Sequence, residues 1–383
     1  MPELTYKDKI FKHRLTVFYR ALMIVVLVIA VIMIIKIQFD NKVYTESEVV
    51  DKFEKMGAEG ANYLAYQGNI LVYSNDGISA YDAKGKQIWN KTYEMQSPIV
   101  KINGPYVASG DYKGNKIYIM NKSGATGEVE TNMPIMDLSI SQKGVVAATL
   151  QDEDVIWVKL FSAEGTELSS IKTTMKKSGY PIATAVSADN VKLGVSYLKA
   201  QSGEINTSIA FYNFGDVGQN ETDHLVSGKD LNDTMVPFLT YVSENDAIAL
   251  SDKQLMLFRG KEKPTVEEEV TLEEEVQGVY YNDNYVALVF HNTESKEPYR
   301  LDLYNMSGDK LFSYVFDVEY QDILVHKEQV IIYSDSDVLI LNKKGLVKYE
   351  GNMGGDIVSL IPTENATRFI VVRGNKIETV KLH

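Results

Sequence analysis

The chain has 383 residues, of which 45% are apolar, so it is long enough and apolar enough to bury a substantial core rather than remain disordered. Its formal net charge is −13, and an acidic body of this kind repels phosphate backbones, which argues against nucleic acid as a partner. The sequence contains no cysteine, which excludes disulfides, thiolate catalysis and thiolate metal sites.

The first element in chain order is an apolar run, "ALMIVVLVIAVIMII" at residues 21–35, flanked by Arg20 and Lys36. With its neighbours it predicts a transmembrane helix over residues 18–38, because about 20 apolar residues cross a hydrocarbon core of roughly 30 Å. A cleaved signal peptide is the less favoured alternative, since the run is longer than a typical signal-peptide core and no A-x-A site follows it.

The basic residues near the N-terminus precede this apolar run. The positive-inside rule therefore predicts a cytoplasmic tail over residues 1–17 and an external domain after the span. An exported domain without cysteine favours the outer face of a bacterial plasma membrane over a eukaryotic secretory route. Seven Asn-x-Ser/Thr sequons are present, but the same residue types are typical of turns, and we interpret them as turns.

Residues 39–58 are predicted to form a juxtamembrane linker with a short stalk helix in "TESEVVDKFEKMG". Thr45 and Glu48 match a capping box, and four apolar residues at helical spacing follow before Gly57, a residue that commonly ends helices.

From residue 59 to the C-terminus, short period-2 strands alternate with polar turns. Eight segments align on the same turn between Gly77 and Asn375, at a spacing of about 43 residues that is typical of a four-stranded propeller blade. Leucine-rich and hexapeptide repeats are shorter, and a sandwich would not keep one phase over this length. The sequence therefore predicts an all-β propeller over residues 59–383 with eight four-stranded blades, seven blades being the alternative.

The ends of this repeat array raise the question of how the ring closes. The eighth repeat stops at His383 after its third strand, so its outer strand is missing or comes from elsewhere. We expect an N-terminal strand to complete it, with "FDNKVYT" at residues 39–45 as the candidate, and "ANYLAY" at residues 61–66 as the inner strand of the first blade.

The repeated turn is clearest in "AYDAKGKQIW" at residues 80–89. This stretch resembles the A-x-D-x-x-(T)-G-K-x-x-W repeat of the quinoprotein-like and WD40-like β-propellers, with one residue missing from the turn. The resemblance implies that Asp82 and Gly85 shape the turn and that Trp89 docks between neighbouring blades. Other repeats keep only the polar and glycine positions: Asn121 and Gly124, Ser162 and Gly165, Asn305 and Gly308, Asn342 and Gly345.

The whole layout of basic tail, single span and degenerate propeller is also similar to a family of single-pass Gram-positive membrane proteins that is catalogued as a domain of unknown function. That similarity implies a location and a fold, and it implies no activity.

Cofactor and metal chemistry find little support in the sequence. Quinone-dependent dehydrogenases of the larger family hold a calcium-bound cofactor, often beside a vicinal disulfide, but this chain has neither cysteine nor a tryptophan repeat, and we expect no cofactor. The histidines lack H-x-x-x-H spacing, since His13 lies in the tail, His383 is terminal, and the others fall in separate repeats, at His224, His291 and His326.

Closely spaced acids occur in two turns, at Asp152, Glu153 and Asp154 and at Asp335 and Asp337. They could share a calcium ion, but both turns lack the glycine and distal glutamate of a calcium loop, so we interpret them as plain turns. The run "VEEEVTLEEEV" is predicted to be an outer strand whose charges protect an exposed sheet edge, with the polar positions at Glu268, Thr271, Glu273 and Glu275. A cation or partner site is the less favoured alternative for this run.

No nucleophile elbow, phosphate loop or dinucleotide fingerprint is present, so no catalytic residue is assigned, although a pair of catalytic carboxylates across a channel stays open. The sequence therefore predicts a non-enzymatic protein-interaction module of the cell envelope, anchored through residues 18–38. The alternative is a sensor or carrier that binds a small molecule or a cell-wall glycan in the central channel, where tyrosines such as those of "VQGVYYN" would suit sugar stacking.

Overall fold

A computed structural model describes residues 6–174, 178–201 and 203–383, so the tail predicted for residues 1–17 lies partly outside the described chain. Over these ranges the chain forms one helix, α1 (Tyr6–Asn41), two short 3₁₀ turns (Gly218–Asn220 and Thr222–His224) and 32 strands. The strands form eight four-stranded antiparallel sheets, one for each blade of a propeller. The predicted eight-bladed all-β fold with one N-terminal apolar helix is confirmed.

In each of the first seven blades, consecutive strands run from the innermost to the outermost position. Blades 1 to 4 contain β2 (Asn62–Tyr66), β3 (Asn69–Ser74), β4 (Gly77–Tyr81), β5 (Gln87–Thr92); β6 (Pro98–Asn103), β7 (Tyr106–Asp111), β8 (Lys116–Asn121), β9 (Gly124–Glu130); β10 (Ile135–Ile140), β11 (Val146–Asp152), β12 (Val155–Phe161), β13 (Glu167–Thr174); β14 (Tyr180–Val186), β15 (Lys192–Gln201), β16 (Glu204–Asn213), β17 (Leu225–Asn232). Blades 5 to 7 contain β18 (Phe238–Tyr241), β19 (Asp246–Leu250), β20 (Gln254–Arg259), β21 (Thr265–Thr271); β22 (Val276–Tyr281), β23 (Tyr285–His291), β24 (Tyr299–Asn305), β25 (Lys310–Phe316); β26 (Asp322–His326), β27 (Gln329–Tyr333), β28 (Asp337–Asn342), β29 (Val347–Asn352).

Blade 8 closes the ring with a strand from the other end of the chain. Its strands are β30 (Ile357–Pro362), β31 (Arg368–Arg373), β32 (Lys376–Leu382) and, outermost, β1 (Ser47–Glu54). β1 pairs antiparallel with β32, from Ser47 opposite Leu382 to Glu54 opposite Lys376. The predicted closure by an N-terminal strand is confirmed, but the candidate segment 39–45 is wrong, because α1 extends to Asn41.

The predicted stalk helix is also wrong, because the same residues form β1. Its apolar residues fit the spacing of a helix, but valine and phenylalanine also favour strands. The unpaired edge of β32 offers a full row of backbone hydrogen-bond partners to such a strand. Phe53 packs against the buried cluster of blades 8 and 1 that includes Ile70 and Ile377. Tertiary pairing therefore decides the structure of this segment.

The core of the propeller lies between adjacent blades rather than at its centre. One cluster joins blades 1 and 2 and contains Trp89, which is 6% exposed, together with Val107 and Met120. The Trp89 ring meets the Tyr66 ring edge to face, with their centroids 6.1 Å apart. The docking role that the resemblance implies for Trp89 is confirmed.

The repeated turn between the third and fourth strands has one geometry in several blades. In blade 1, Asp82 Oδ1 accepts hydrogen bonds of 2.9 Å from the amides of both Lys84 and Lys86, and the Gly85 amide donates to the Asp82 carbonyl. Gly85 has a φ of +81°, a conformation that favours glycine. The same acceptor role recurs at Ser162, Asn305 and Asn342. The turn-shaping roles predicted for these positions are confirmed.

The turn glycines also set the distance between blades. A Cβ on Gly165 would lie 2.6 Å from the carbonyl oxygen of Glu128 in the outer strand of the preceding blade. The glycines of other turns face their preceding blades in the same way, with Gly85 against Phe53, Gly308 against Glu268 and Gly345 against Phe312. A glycine here therefore permits both the turn and the contact between blades.

The connection from blade 7 to blade 8 is held by a buried ion pair. Arg373 Nε lies 2.6 Å from Glu378 Oε2, and both side chains are at most 7% exposed. The other Arg373 nitrogens donate to the carbonyls of residues 353–355. Burial opposes ionisation of Glu378, but hydrogen bonds from Lys376 and Arg373 outweigh this and lower the pKa of its carboxyl.

The contact between blades is testable by comparing Gly165→Ala with Gly203→Ala. Both glycines have a φ of +89°, so both substitutions carry a similar backbone strain of about 1–2 kcal/mol. Among the described atoms, none would lie within 4 Å of a new methyl group at Gly203. We therefore expect Gly165→Ala to lower the free energy of unfolding by about 1–3 kcal/mol more than Gly203→Ala, because it also overpacks the blade contact. Urea unfolding of the detergent-purified chain measures this, and equal losses would contradict it.

The Arg373–Glu378 pair generates a second prediction. Glu378→Gln leaves Arg373 buried without its counter-charge, which should lower stability by about 3–5 kcal/mol. Because the folded pKa of Glu378 lies below its unfolded value, the ionised carboxylate stabilises the protein above the unfolded pKa and loses this effect as pH falls through the folded pKa. The stability difference between the variant and the wild-type chain should therefore shrink on acidification. Glu167→Gln, which removes an exposed 2.9 Å pair with Lys159, is the control and should change stability by less than about 1 kcal/mol. A pH-independent difference would contradict this account.

Candidate functional site

The two faces of the propeller differ in how the chain reaches them. The turns between first and second strands and between third and fourth strands lie on one face, and the chain leaving α1 joins the ring there. The Tyr44 amide donates to the Lys348 carbonyl at 2.7 Å, and the Thr45 amide to the His383 carbonyl at 3.1 Å. We call this the helix-side face. The opposite face carries the turns between second and third strands and the connections between blades.

Charge is distributed unevenly between these faces. On the helix-side face, lysines surround the place where the chain joins the ring, and the charged residues that line a cavity of about 360 Å³ there are Lys327, Lys343, Lys344, Lys348 and Glu328. On the opposite face, carboxylates predominate in many turns and connections, including residues 152–154, residues 273–275, Asp317, Glu319, Asp335, Asp337 and Asp356. The propeller therefore presents an acidic end on the side away from α1.

One cavity runs from the opposite face into the central channel. This channel cavity has a volume of about 830 Å³ and is lined by the inner strands of blades 1, 7 and 8. Its lining combines three tyrosines and three aspartates with leucines, namely Tyr63, Tyr73, Tyr333, Asp322, Asp335, Asp356, Leu64, Leu324 and Leu360. No lysine, arginine or histidine of the described chain lines it.

A second cavity continues outward from the first. This cleft cavity has a volume of about 690 Å³, lies where blade 6 meets blade 7, and shares Gln321 and Asp335 with the channel cavity. Its carboxylates are Asp317, Glu319, Asp335, Asp337 and Glu350, and the described residues supply no basic side chain to its lining. We call the two cavities together the acidic trough.

The trough carboxylates have few compensating partners. Within the described chain, none of the trough's aspartates and glutamates forms an ion pair. Burial raises the pKa of Asp322, although a 2.8 Å hydrogen bond from the Ile323 amide partly opposes the rise. Burial, with Asp322 nearby, raises the pKa of Tyr333 to about 12. This end of the trough therefore favours neutral groups or a bound cation.

On the other side of the channel, the charge of the lining carboxylate is compensated by a lysine. A cavity of about 230 Å³ is lined by inner strands of blades 2 to 5 and by Tyr281 of β22, the strand of "VQGVYYN". Its carboxylate, Asp137, lies 3.4 Å from Lys101 Nζ. The carboxylate of this cavity is therefore paired, unlike those of the trough.

The structure separates most of the polar residues that the sequence singled out. Asp152, Glu153 and Asp154 lie at the turn of blade 3, and Glu153 has a φ of +51°. Asp337 accepts hydrogen bonds from Asn352 and Ser336, as expected for a turn residue. Within the described residues, no three His, Asp or Glu side chains converge as metal ligands.

The predicted outer strand of blade 5 is shorter than expected. β21 ends at Thr271, so Glu268 lies on the outer strand while Glu273 and Glu275 lie in the connection to blade 6, on the opposite face. Protection of a sheet edge therefore remains a prediction for Glu268 and does not extend to the other two glutamates.

The histidines are not brought together either. His224, His291 and His326 belong to blades 4, 6 and 7, and burial lowers the pKa of His326. His383 lies 3.2 Å from Glu48 at the closure of the ring, and the side chain of His13 is outside the described residues.

The trough contains residues that sequence reasoning missed. Asp317 and Glu319, Asp335 and Asp337, and Glu350 come from three separate segments and line one cavity. The available signal was the recurrence of acids at the connections between blades, which the fold places on one face.

Solved structures resemble this fold at low sequence identity. BamB from Moraxella catarrhalis aligns with a TM-score of 0.51 and 14% identity over 88% of this chain and 98% of that chain. Saccharomyces cerevisiae Sqt1 aligns at 0.52 and 12% identity over 88% and 99%. A eukaryotic initiation factor aligns at 0.55 and 8% identity over 88% and 87%. These similarities establish the propeller fold, with BamB-like and WD40-like neighbours.

A search of curated proteins finds no match for this chain. A family profile does match, and it covers residues 40–382, which is the whole propeller. The chain therefore belongs to the family of unknown function DUF5711.

Proposed function

We propose that this chain is a single-pass plasma-membrane protein of a Gram-positive bacterium whose propeller acts outside the cell as a non-enzymatic protein-interaction module. The helix window Arg14–Met33 is apolar enough to cross a membrane, and none of it is buried in the protein. The basic residues before the span favour a cytoplasmic N-terminus. A signal sequence near the N-terminus would meet the same test of length and apolarity, so the retained anchor is part of the proposal.

The observation that carries the interaction role is the relation between anchor and charge. The chain leaves α1 on the helix-side face, so an anchored propeller directs its opposite face away from the membrane. That face holds the acidic trough, including both of its cavities. A rigid, charged and accessible surface of this kind suits steering and binding of an oppositely charged partner.

The interaction role is tested by site-specific photo-cross-linking of the full-length chain in intact cells. A cross-linking amino acid at Glu319 or Asp356, both exposed on the opposite face, should join one dominant protein. The matched control is Lys84, which is exposed in a helix-side turn and should not join that protein. If all three positions instead cross-link to a similar mixture of many proteins, the interaction role is rejected.

A second candidate function is binding of a small molecule or cell-wall glycan in the channel cavity. It is favoured by Tyr73, a partly exposed residue that lines this cavity together with the buried Tyr63 and Tyr333. Partly exposed aromatic faces with polar neighbours suit stacking against a sugar.

Thermal unfolding separates the two candidates, because a ligand that binds only the folded state raises the melting temperature. For an interaction module we expect no shift of the full-length chain with soluble cell-wall glycan fragments. A concentration-dependent rise that Tyr73→Ala abolishes, and that Tyr281→Ala on the other side of the channel leaves unchanged, would instead support the carrier.

A further inference from the structure

We propose that the acidic trough binds a basic, extended polypeptide segment of the partner, with lysine or arginine side chains at successive positions. This inference rests on the proposed function and names the chemistry of the partner. It is drawn from the shape, charge and lining of the trough.

The trough has the dimensions of a short peptide. It begins at Asp322 on β26, the innermost strand of blade 7, and reaches Glu350 on β29, the outermost strand. Neighbouring strands lie about 4.8 Å apart, so these four strands span roughly 15 Å. At about 3.3 Å per residue, an extended segment of four or five residues covers that distance.

The charge of the trough lacks internal compensation. Some exposed carboxylates elsewhere pair with lysines, as Glu128 does with Lys91 and Glu364 with Lys327. The closest arginine in sequence to the trough lining, Arg373, is already committed to Glu378 and to the carbonyls of residues 353–355. Carboxylates that line the same two adjoining cavities repel one another, and a cationic segment would relieve that repulsion.

The spacing of the carboxylates favours separate cationic groups over one metal ion. In the described part of the chain, no three acidic or histidine side chains converge as metal ligands. The carboxylates instead occur in succession along the trough, first Asp322 and Asp356, then Asp335, then Asp317 and Glu319. Side chains spaced along an extended backbone match such a row.

The channel end of the trough suits the side chain of one lysine or arginine. Tyr73 and Asp322 both line the channel cavity, and an aromatic face and a carboxylate each attract an ammonium or guanidinium group. Leu324 and Leu360 line the same cavity and offer apolar surface to the methylene stem. In the cleft cavity, all the charged lining residues of the described chain are acidic, which suits the cationic groups that follow.

The inference is tested by fluorescence anisotropy of the full-length chain in uncharged detergent micelles. The probe is a labelled ten-residue peptide with arginine at alternate positions, and a glutamate version serves as the negative peptide. We expect salt-sensitive binding of the arginine peptide alone. No binding at low salt would overturn the inference.

Two triple variants with equal charge change separate the trough from general acidity. Asp317→Asn, Glu319→Gln and Asp335→Asn neutralise three exposed trough carboxylates that accept no side-chain hydrogen bond within the described chain. Asp152→Asn, Glu153→Gln and Asp154→Asn neutralise three carboxylates on the same face in blade 3. The trough variant should weaken binding by about tenfold and the blade 3 variant by less than about threefold. Equal weakening would overturn the inference, and melting temperatures of both variants confirm that they are folded.

The remaining outcomes distinguish this inference from the proposed function. Binding of the free polyamine spermine without binding of the peptide would overturn the polypeptide as the occupant. One dominant cross-linked partner at Glu319 or Asp356, without peptide binding, would reject the basic chemistry and leave the interaction role standing. Peptide binding without any cross-linked partner would reject the interaction role itself.

Discussion

The pairing of β1 with β32 is the constraint on which the rest of the structure depends. Seven blades are continuous in sequence, but the eighth has only three strands of its own and would leave an open edge without β1. The same pairing fixes where α1 meets the ring, because β1 follows the helix after a few residues. Closure thereby decides which face lies beside the helix and which lies away from it.

Each junction between blades buries a cluster of apolar residues, and the composition of this cluster differs from one junction to the next. Trp89 fills the junction of blades 1 and 2, yet other junctions use the glycine of a turn against Glu128, Glu268 or Phe312. What the repeats share is a polar acceptor that closes the turn and a glycine that lets the next blade approach. This explains how a degenerate repeat builds a regular ring without disulfides.

The arrangement of charge makes the two faces of the ring different. Lysines lie near the place where α1 joins, and uncompensated carboxylates lie on the far face, where the connections around blade 7 form the acidic trough. The similarity to BamB, at 14% identity, identifies the architecture only. The functional proposal therefore rests on the surface, since one fold serves many roles.

The period, the strands, the turns and the apolar N-terminal helix were predictable from the residues alone, because alternation, turn chemistry and apolar runs are encoded locally. The resemblance to quinoprotein-like propellers also gave the roles of Asp82, Gly85 and Trp89 correctly. Tertiary structure alone decided that the helix-like residues after Thr45 form β1, because their partner strand lies at the other end of the chain. It alone assembled the trough, since Asp317 after β25, Asp335 in the turn before β28 and Glu350 on β29 meet only when blades 6 and 7 pack side by side.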